Sequence, residues 1–238
     1  MKNGLNWKAL PILFTVLLLG CTTSISRRLL SSDKDVQRAA TGLFYRLETS
    51  SQCAVVSEMA QFLESKDNKT RRVVARFLSE IKHDVQAKCA APLLLKALSD
   101  EDLYVSIHGA HGLGRLLGLP GAGKAESFRR PLEQKVPFLI NALREDDAEV
   151  RGTAAHILGL IGSPAEDAVP SLVRALKDNA LNVRLEAVVA LEELVPKING
   201  DWPYIIVALI ASFEDKDDWI CYRAAITLAR IGKPAVPA

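Results

Sequence analysis

Read at about 100° per residue, segment 147–162 places Val150, Ala154, Ile157, Leu158 and Ile161 in one sector about 100° wide, the apolar stripe of a helix buried on one side. The same pattern returns without internal gaps over 67–81, 102–116, 180–194 and 217–232, and a half-copy occupies 33–47. The equivalent positions Val36, Thr70, Val105, Val150, Val183 and Ile220 lie 34, 35, 45, 33 and 37 residues apart, the period of stacked helical hairpins. A further apolar helix is predicted ahead of four of these, opening on Pro92, Pro137, Pro170 and Pro203, because a first helical turn has no use for the amide that proline lacks. The expected fold is all-α: a right-handed α-solenoid of about five helix hairpins with an N-terminal half-repeat, covering residues 33–238.

Two irregularities interrupt the period. The 45-residue interval contains Gly118, Pro120, Gly121, Gly123 and Pro131, so residues 118–131 are expected to form a loop protruding between adjacent hairpins. At 232–238 the sequence copies the opening of another repeat and stops where a solenoid ordinarily has a polar cap, which predicts either a longer parent chain, the favoured reading, or a last helix that needs a partner. Composition agrees with the helical reading. Hydrophobic residues make up 49% and aromatics only 6%, so Ala, Leu, Val and Ile must supply a core of closely packed helices.

The N-terminus follows a different logic. Lys2 and Lys8 precede an apolar run over residues 9–19, too short at about 16 Å of helix to span a bilayer core, which is the layout of a secretory signal. Its end, Leu18-Leu19-Gly20-Cys21, resembles the lipobox of bacterial lipoproteins, although Leu19 is bulkier than the residue usual there. That resemblance implies cleavage after residue 20, lipid on Cys21 and, with Thr22 following, sorting to the outer membrane on the periplasmic side. An ordinary signal peptide with an incidental cysteine is the alternative. Residues 21–32, polar and rich in serine, are expected to tether the lipid to the folded body. Without the leader's two lysines the chain carries 28 basic and 28 acidic residues, a neutral balance with no general pull toward nucleic acid.

Val-Pro-x-Leu, a short acidic turn, Val-Arg, Ala-Ala and the Leu-Gly-x-Ile-Gly ending at Gly162 together resemble the HEAT-like repeats named after the bilin lyases. The resemblance implies architecture far more than activity, since that family includes scaffolds, regulators and unrelated enzymes. It also implies that Asp67 and Asp147, with Arg71, Arg151 and Arg184 just after the Val position, tie successive turns together.

Candidate chemistry is sparse. Gly118 to Lys124 fits the spacing of a phosphate-binding loop, but Ala125 stands where Ser or Thr must hold magnesium and no strand precedes it. His111 and His156 occupy one position in adjacent copies, about 200° from the core stripe, and His108 lies one turn before His111. Stacked helices would bring the imidazoles within reach of a shared metal or an acidic partner group. No carboxylate occupies the equivalent positions, and the histidine-glutamate pairs of the iron-binding hydroxylases among HEAT-like proteins are absent. Cys53 and Cys89 begin the first helices of adjacent copies, where a disulfide is conceivable but the helix spacing is near its upper limit; buried small apolar residues are the favoured reading.

For partner contact the candidates are His108, His111 and His156, Arg72, Arg76 and Tyr222 on the second helices of the hairpins, and Phe128, Arg129 and Arg130 in the insertion, because exposed arginine and aromatic residues anchor interfaces. The resulting expectation is a non-catalytic scaffold for a protein partner, lipid-anchored in the envelope, with no cofactor, no metal, no nucleic acid and no evident small-molecule substrate. The alternative is a HEAT-like enzyme, lyase-type or metal-dependent, with its catalytic residues outside this chain.

Overall fold

The computed structural model describes residues 24–81, 89–117, 126–195 and 203–231, and every regular element among them is helical. Residues 24–29 form α1. It is followed by α2 (Lys34–Arg46), α3 (Thr49–Glu58, extended by a 3-10 segment Met59–Glu64) and α4 (Asn68–Glu80). Next come α5 (Ala91–Leu98), α6 (Leu103–Leu117), α7 (Glu126–Glu133), α8 (Val136–Ala142) and α9 (Ala148–Ile161). A 3-10 segment Ser163–Ala168 leads to α10 (Val169–Ala175) and α11 (Leu181–Leu194), and α12 (Pro203–Ala211) and α13 (Asp218–Ile231) complete the series. The chain divides into two compact units at His108 and Gly109, inside α6. None of the described helices is long and apolar enough to cross a membrane.

Local chemistry explains where the helices start. Pro92, Pro137 and Pro170 occupy the first turns of α5, α8 and α10, and Pro203 opens α12. The second helices begin on an aspartate whose carboxylate accepts from amides two and three residues on: Asp67 from Lys69 and Thr70, Asp102 from Tyr104 and Val105, Asp147 from Glu149 and Val150, Asp217 from Trp219 and Ile220. These caps satisfy amides that the helix itself cannot. Asp33 caps α2 in the same way, whereas α11 starts at Ala180 with no side-chain cap.

Asp67 and Asp147 are therefore caps, and the tie between successive repeats runs to other aspartates. Arg71 reaches Asp100 through Nε at 2.9 Å and Nη2 at 3.1 Å, and Arg184 reaches Asp215 at 2.7 and 3.1 Å. Each guanidinium also donates to carbonyls of its own hairpin turn, Ser65 for Arg71 and Asp178 for Arg184. Each partner aspartate in turn accepts from the amide two residues on, Asp102 and Asp217. One arginine thus closes its own turn and holds the next.

The stripe residues form the core. Val74, Leu78, Leu94 and Val105 are fully buried in the first unit, and Val150, Ile157, Leu158, Val183, Leu191 and Ile220 in the second. The half-copy departs from the pattern, because Val36 is 38% exposed and α2 is held instead by Ala40 and Phe44, one and two turns later. Gly159 lets α9 and α11 approach closely: a Cβ there would lie 2.9 Å from the Ala190 Cα. Gly162, at φ 76°, ends α9 in a backbone conformation that side chains disfavour.

Three expectations are corrected. The stretch taken as a polar tether is helical at 24–29 and buries Ile25, Ser26 and Leu29, so it belongs to the packed body. The insertion is no loop from residue 126 onward, since α7 runs through Pro131 and buries Phe128 and Leu132. Cys53 and Cys89 are bridged, with Cα atoms 5.5 Å apart. Cys89 lies in the turn just ahead of α5, which brings the backbones closer than helix spacing alone would. The leader, Cys21 and residues 118–125 lie outside the described residues.

Candidate functional site

In the second unit the Val-plus-six positions of α6 and α9 meet. The rings of His111 and His156 pack edge to face with centroids 5.3 Å apart, as their matching register predicts. His156 donates through Nδ1 to Glu186 Oε2 on α11 at 2.9 Å, and both side chains are about one-third exposed. Because a carboxylate only accepts, this bond fixes the neutral ring with its proton on Nδ1 and its lone pair on Nε2.

The three side chains line a pocket of about 220 Å³ with Glu149, Thr153 and Asn182. Gly152 forms part of its wall. A Cβ there would sit 2.9 Å from Asn182 Nδ2, which donates to the Ala148 carbonyl at 3.0 Å and so links α11 back to the first turn of α9. Glu149 and Asn182 share the position just before Val, and Trp219 holds it on α13. Trp219 and Tyr222 are each 54% exposed and stack at 5.2 Å with ring planes 31° apart, and Arg223 lies over the Trp219 ring. The second unit therefore presents a row: two carboxylates and two imidazoles, then an amide, then an aromatic shelf.

A larger cleft of about 470 Å³ runs along the hairpin turns, lined by Asp178, Arg184 and Asp215 among others. Its charges are engaged in the inter-repeat tie. The Arg151 guanidinium holds the Asp178 carboxyl below the usual range, and Arg184 does the same for Asp215. In the first unit, burial pushes Asp102 up, but hydrogen bonds from Arg72 and from the amides of Val105 and Tyr104 outweigh it and leave the carboxyl lowered. Among the described residues no group of three or more His, Cys, Asp or Glu is placed to hold a metal ion.

The remaining candidates divide. His108 is buried with Nδ1 3.5 Å from Ser79 Oγ, so it is not the surface group expected, and Phe128 is likewise a core residue at 7% exposure. Arg72 forms a forked pair with Asp102 at 2.7 to 3.0 Å and lies 4.6 Å over the Tyr104 ring. Arg76 pairs with Glu80 at 3.1 Å and remains 60% exposed. Arg129 stands 4.0 Å from Glu133, and Arg130 is exposed. Tyr222 is surface-exposed as expected.

Sequence reasoning missed Glu186, Glu149, Asn182 and Trp219. The search for a carboxylate at the histidine's own repeat position could not find Glu186, because position Val-plus-six of one helix faces Val-plus-three of the next.

A profile of HEAT repeats matches residues 136–201. No curated protein sequence matches the chain. Among solved structures, an engineered protein of the Northeast Structural Genomics Consortium is similar with a TM-score of 0.63 at 22% identity, over 90% of this chain and 97% of that one. A designed armadillo repeat protein in complex with the peptide (KR)4 is similar with a TM-score of 0.61 at 15% identity, over 88% of this chain and 98% of that one. At such identities the likeness is one of fold, and the chain folds as an α-solenoid of HEAT/armadillo-like repeats.

Proposed function

We propose that this chain is a non-catalytic scaffold for a protein partner, anchored by lipid on Cys21 in a bacterial cell envelope, facing the periplasm from the outer membrane. The observation that carries the scaffold reading is the row of side chains on α9, α11 and α13, where Glu149, Asn182 and Trp219 repeat at one position and remain exposed. Regular spacing of contact groups suits an extended polypeptide. The fold is shared with a designed protein that holds a peptide, which supports the same reading. Support for export comes from the charged and apolar leader ending in Gly20-Cys21, and from the Cys53–Cys89 bridge, a bond favoured in oxidising compartments.

Two measurements test the proposal on the intact gene product. Labelling with radioactive palmitate should mark the wild type and not C21S, and C21S should leave the membrane fraction; equal labelling and fractionation would overturn the anchor. Crosslinking followed by purification from detergent-solubilised envelope should retain a stoichiometric protein, and its absence would overturn the scaffold.

A further inference from the structure

The pocket shared by His111, His156, Glu149 and Glu186 has a chemistry that narrows the partner. Glu149 and Glu186 bring two negative charges, while the two imidazoles are acceptors when neutral. The Glu186 carboxylate accepts a hydrogen bond from the Nδ1–H of His156, so a neutral ring keeps an Nε2 lone pair and cannot donate from that atom. An anion would meet repulsion here. A cation with several N–H groups would find carboxylates, an imidazole acceptor and the Thr153 hydroxyl within one small cavity. No three-ligand metal arrangement exists among the described residues, which favours an organic cation over a metal ion.

We propose, resting on the scaffold reading above, that this pocket receives the ammonium or guanidinium of a lysine or arginine side chain in an extended partner segment. The stacked Trp219 and Tyr222 then hold an apolar side chain farther along the same segment. Helices in contact pack ~8–10 Å apart and an extended chain advances ~3.3 Å per residue, so the apolar residue follows or precedes the basic one by about two or three positions. The pocket is built by successive helices, whereas the aromatic shelf lies on α13 alone. The stations act in register because the Arg–Asp tie between Arg184 and Asp215 fixes α11 relative to the turn that leads into α13.

The test uses the full chain in detergent and fluorescein-labelled peptides read by fluorescence anisotropy. One peptide alternates Lys and Arg over eight residues, a second replaces them with Glu, and a third carries a single Lys with Leu three positions away. The basic peptide should bind and the acidic one should not. E149Q/E186Q should weaken the basic peptide about tenfold or more, as expected for lost charged hydrogen bonds, and E166Q, on a 3-10 turn outside the pocket, should not. W219A should weaken the third peptide and spare the first.

Equal binding by E149Q/E186Q and wild type, or an equal loss in E166Q, would overturn the assignment by showing only general charge attraction. If the envelope partner still purifies with E149Q/E186Q, the pocket falls while the scaffold stands. If neither the partner nor any peptide is retained, both fall.

Discussion

Arg151 grips Asp178 with two nitrogens, Nε and Nη2, each at 2.8 Å, while its Nη1 donates to the carbonyls of Glu145 and Asp146, also at 2.8 Å. One planar guanidinium therefore closes the α8–α9 turn and fastens it to the turn before α11. The pair is largely buried, with Arg151 and Asp178 side chains 15% and 14% exposed, so truncation strands the Asp178 carboxylate. R151A should destabilise the second unit by about 1–3 kcal/mol, and R151K, which has no fork, should recover only part of that. Urea denaturation followed by circular dichroism measures both. A loss below about 0.5 kcal/mol would place this pair among surface ion pairs of little consequence.

The same ties give the fold an acid dependence of known sign. Asp178 and Asp215 are held below their ordinary value of 3.8 by Arg151 and Arg184. A carboxylate with a depressed folded value contributes stability that is complete above its unfolded value and is lost as pH falls through the folded one. Unfolding free energy should thus stay level down to about pH 4–5 and fall below it. In R151A/R184A the two carboxylates lose their partners, and the fall over the same interval should be shallower. Parallel slopes for variant and wild type would assign the acid dependence to other groups.

Much of this was legible in the sequence. The helical stripe, the proline starts and the meeting of His111 with His156 follow from register alone, because equivalent positions of stacked helices face the same way. Glu186 was hidden because packing offsets neighbouring helices by about one turn, and no single-repeat pattern carries that offset. The inter-repeat tie was expected, but with the aspartates at helix starts; Asp67 and Asp147 are occupied by their own amides, which leaves Asp100, Asp178 and Asp215 to meet the arginines. Helix α1 escaped because six residues with two large buried apolar side chains give no readable period. Phe128 escaped because glycine and proline around it suggested a loop, while burial of Phe128 and Leu132 holds α7 to the core despite Pro131.

Two glycines of α9 should respond unequally to the same substitution. At Gly159 the added methyl meets the Ala190 backbone at 2.9 Å and its Cβ at 3.1 Å, so α9 and α11 must separate. At Gly152 it meets the end of the exposed Asn182 side chain, which can turn aside. G159A should cost about 1–3 kcal/mol, as overpacking does, and G152A less than about 1 kcal/mol. Thermal unfolding of the two variants side by side checks the order; a more destabilising G152A would contradict the close approach of the helices at Gly159.

The Cys53–Cys89 bridge should be the largest single contribution in the unit ending at His108. It joins α3 to the turn ahead of α5 across a sequence separation of 36, and the unfolded-chain entropy removed by closing such a loop corresponds to about 3–4 kcal/mol. Both cysteines are half-buried, so reductant reaches the bond as the native state opens locally. Reduction, or C53S/C89S, should lower the unfolding free energy of this unit by that amount while leaving amide exchange in α9 and α11 unchanged. Thiol titration in denaturant should find two more groups after reduction than before, with Cys221 reactive in both cases because its thiol is not bridged. Equal thiol counts before and after reduction would show that the bond does not form in the isolated protein, and would remove the support it gives to an oxidising compartment.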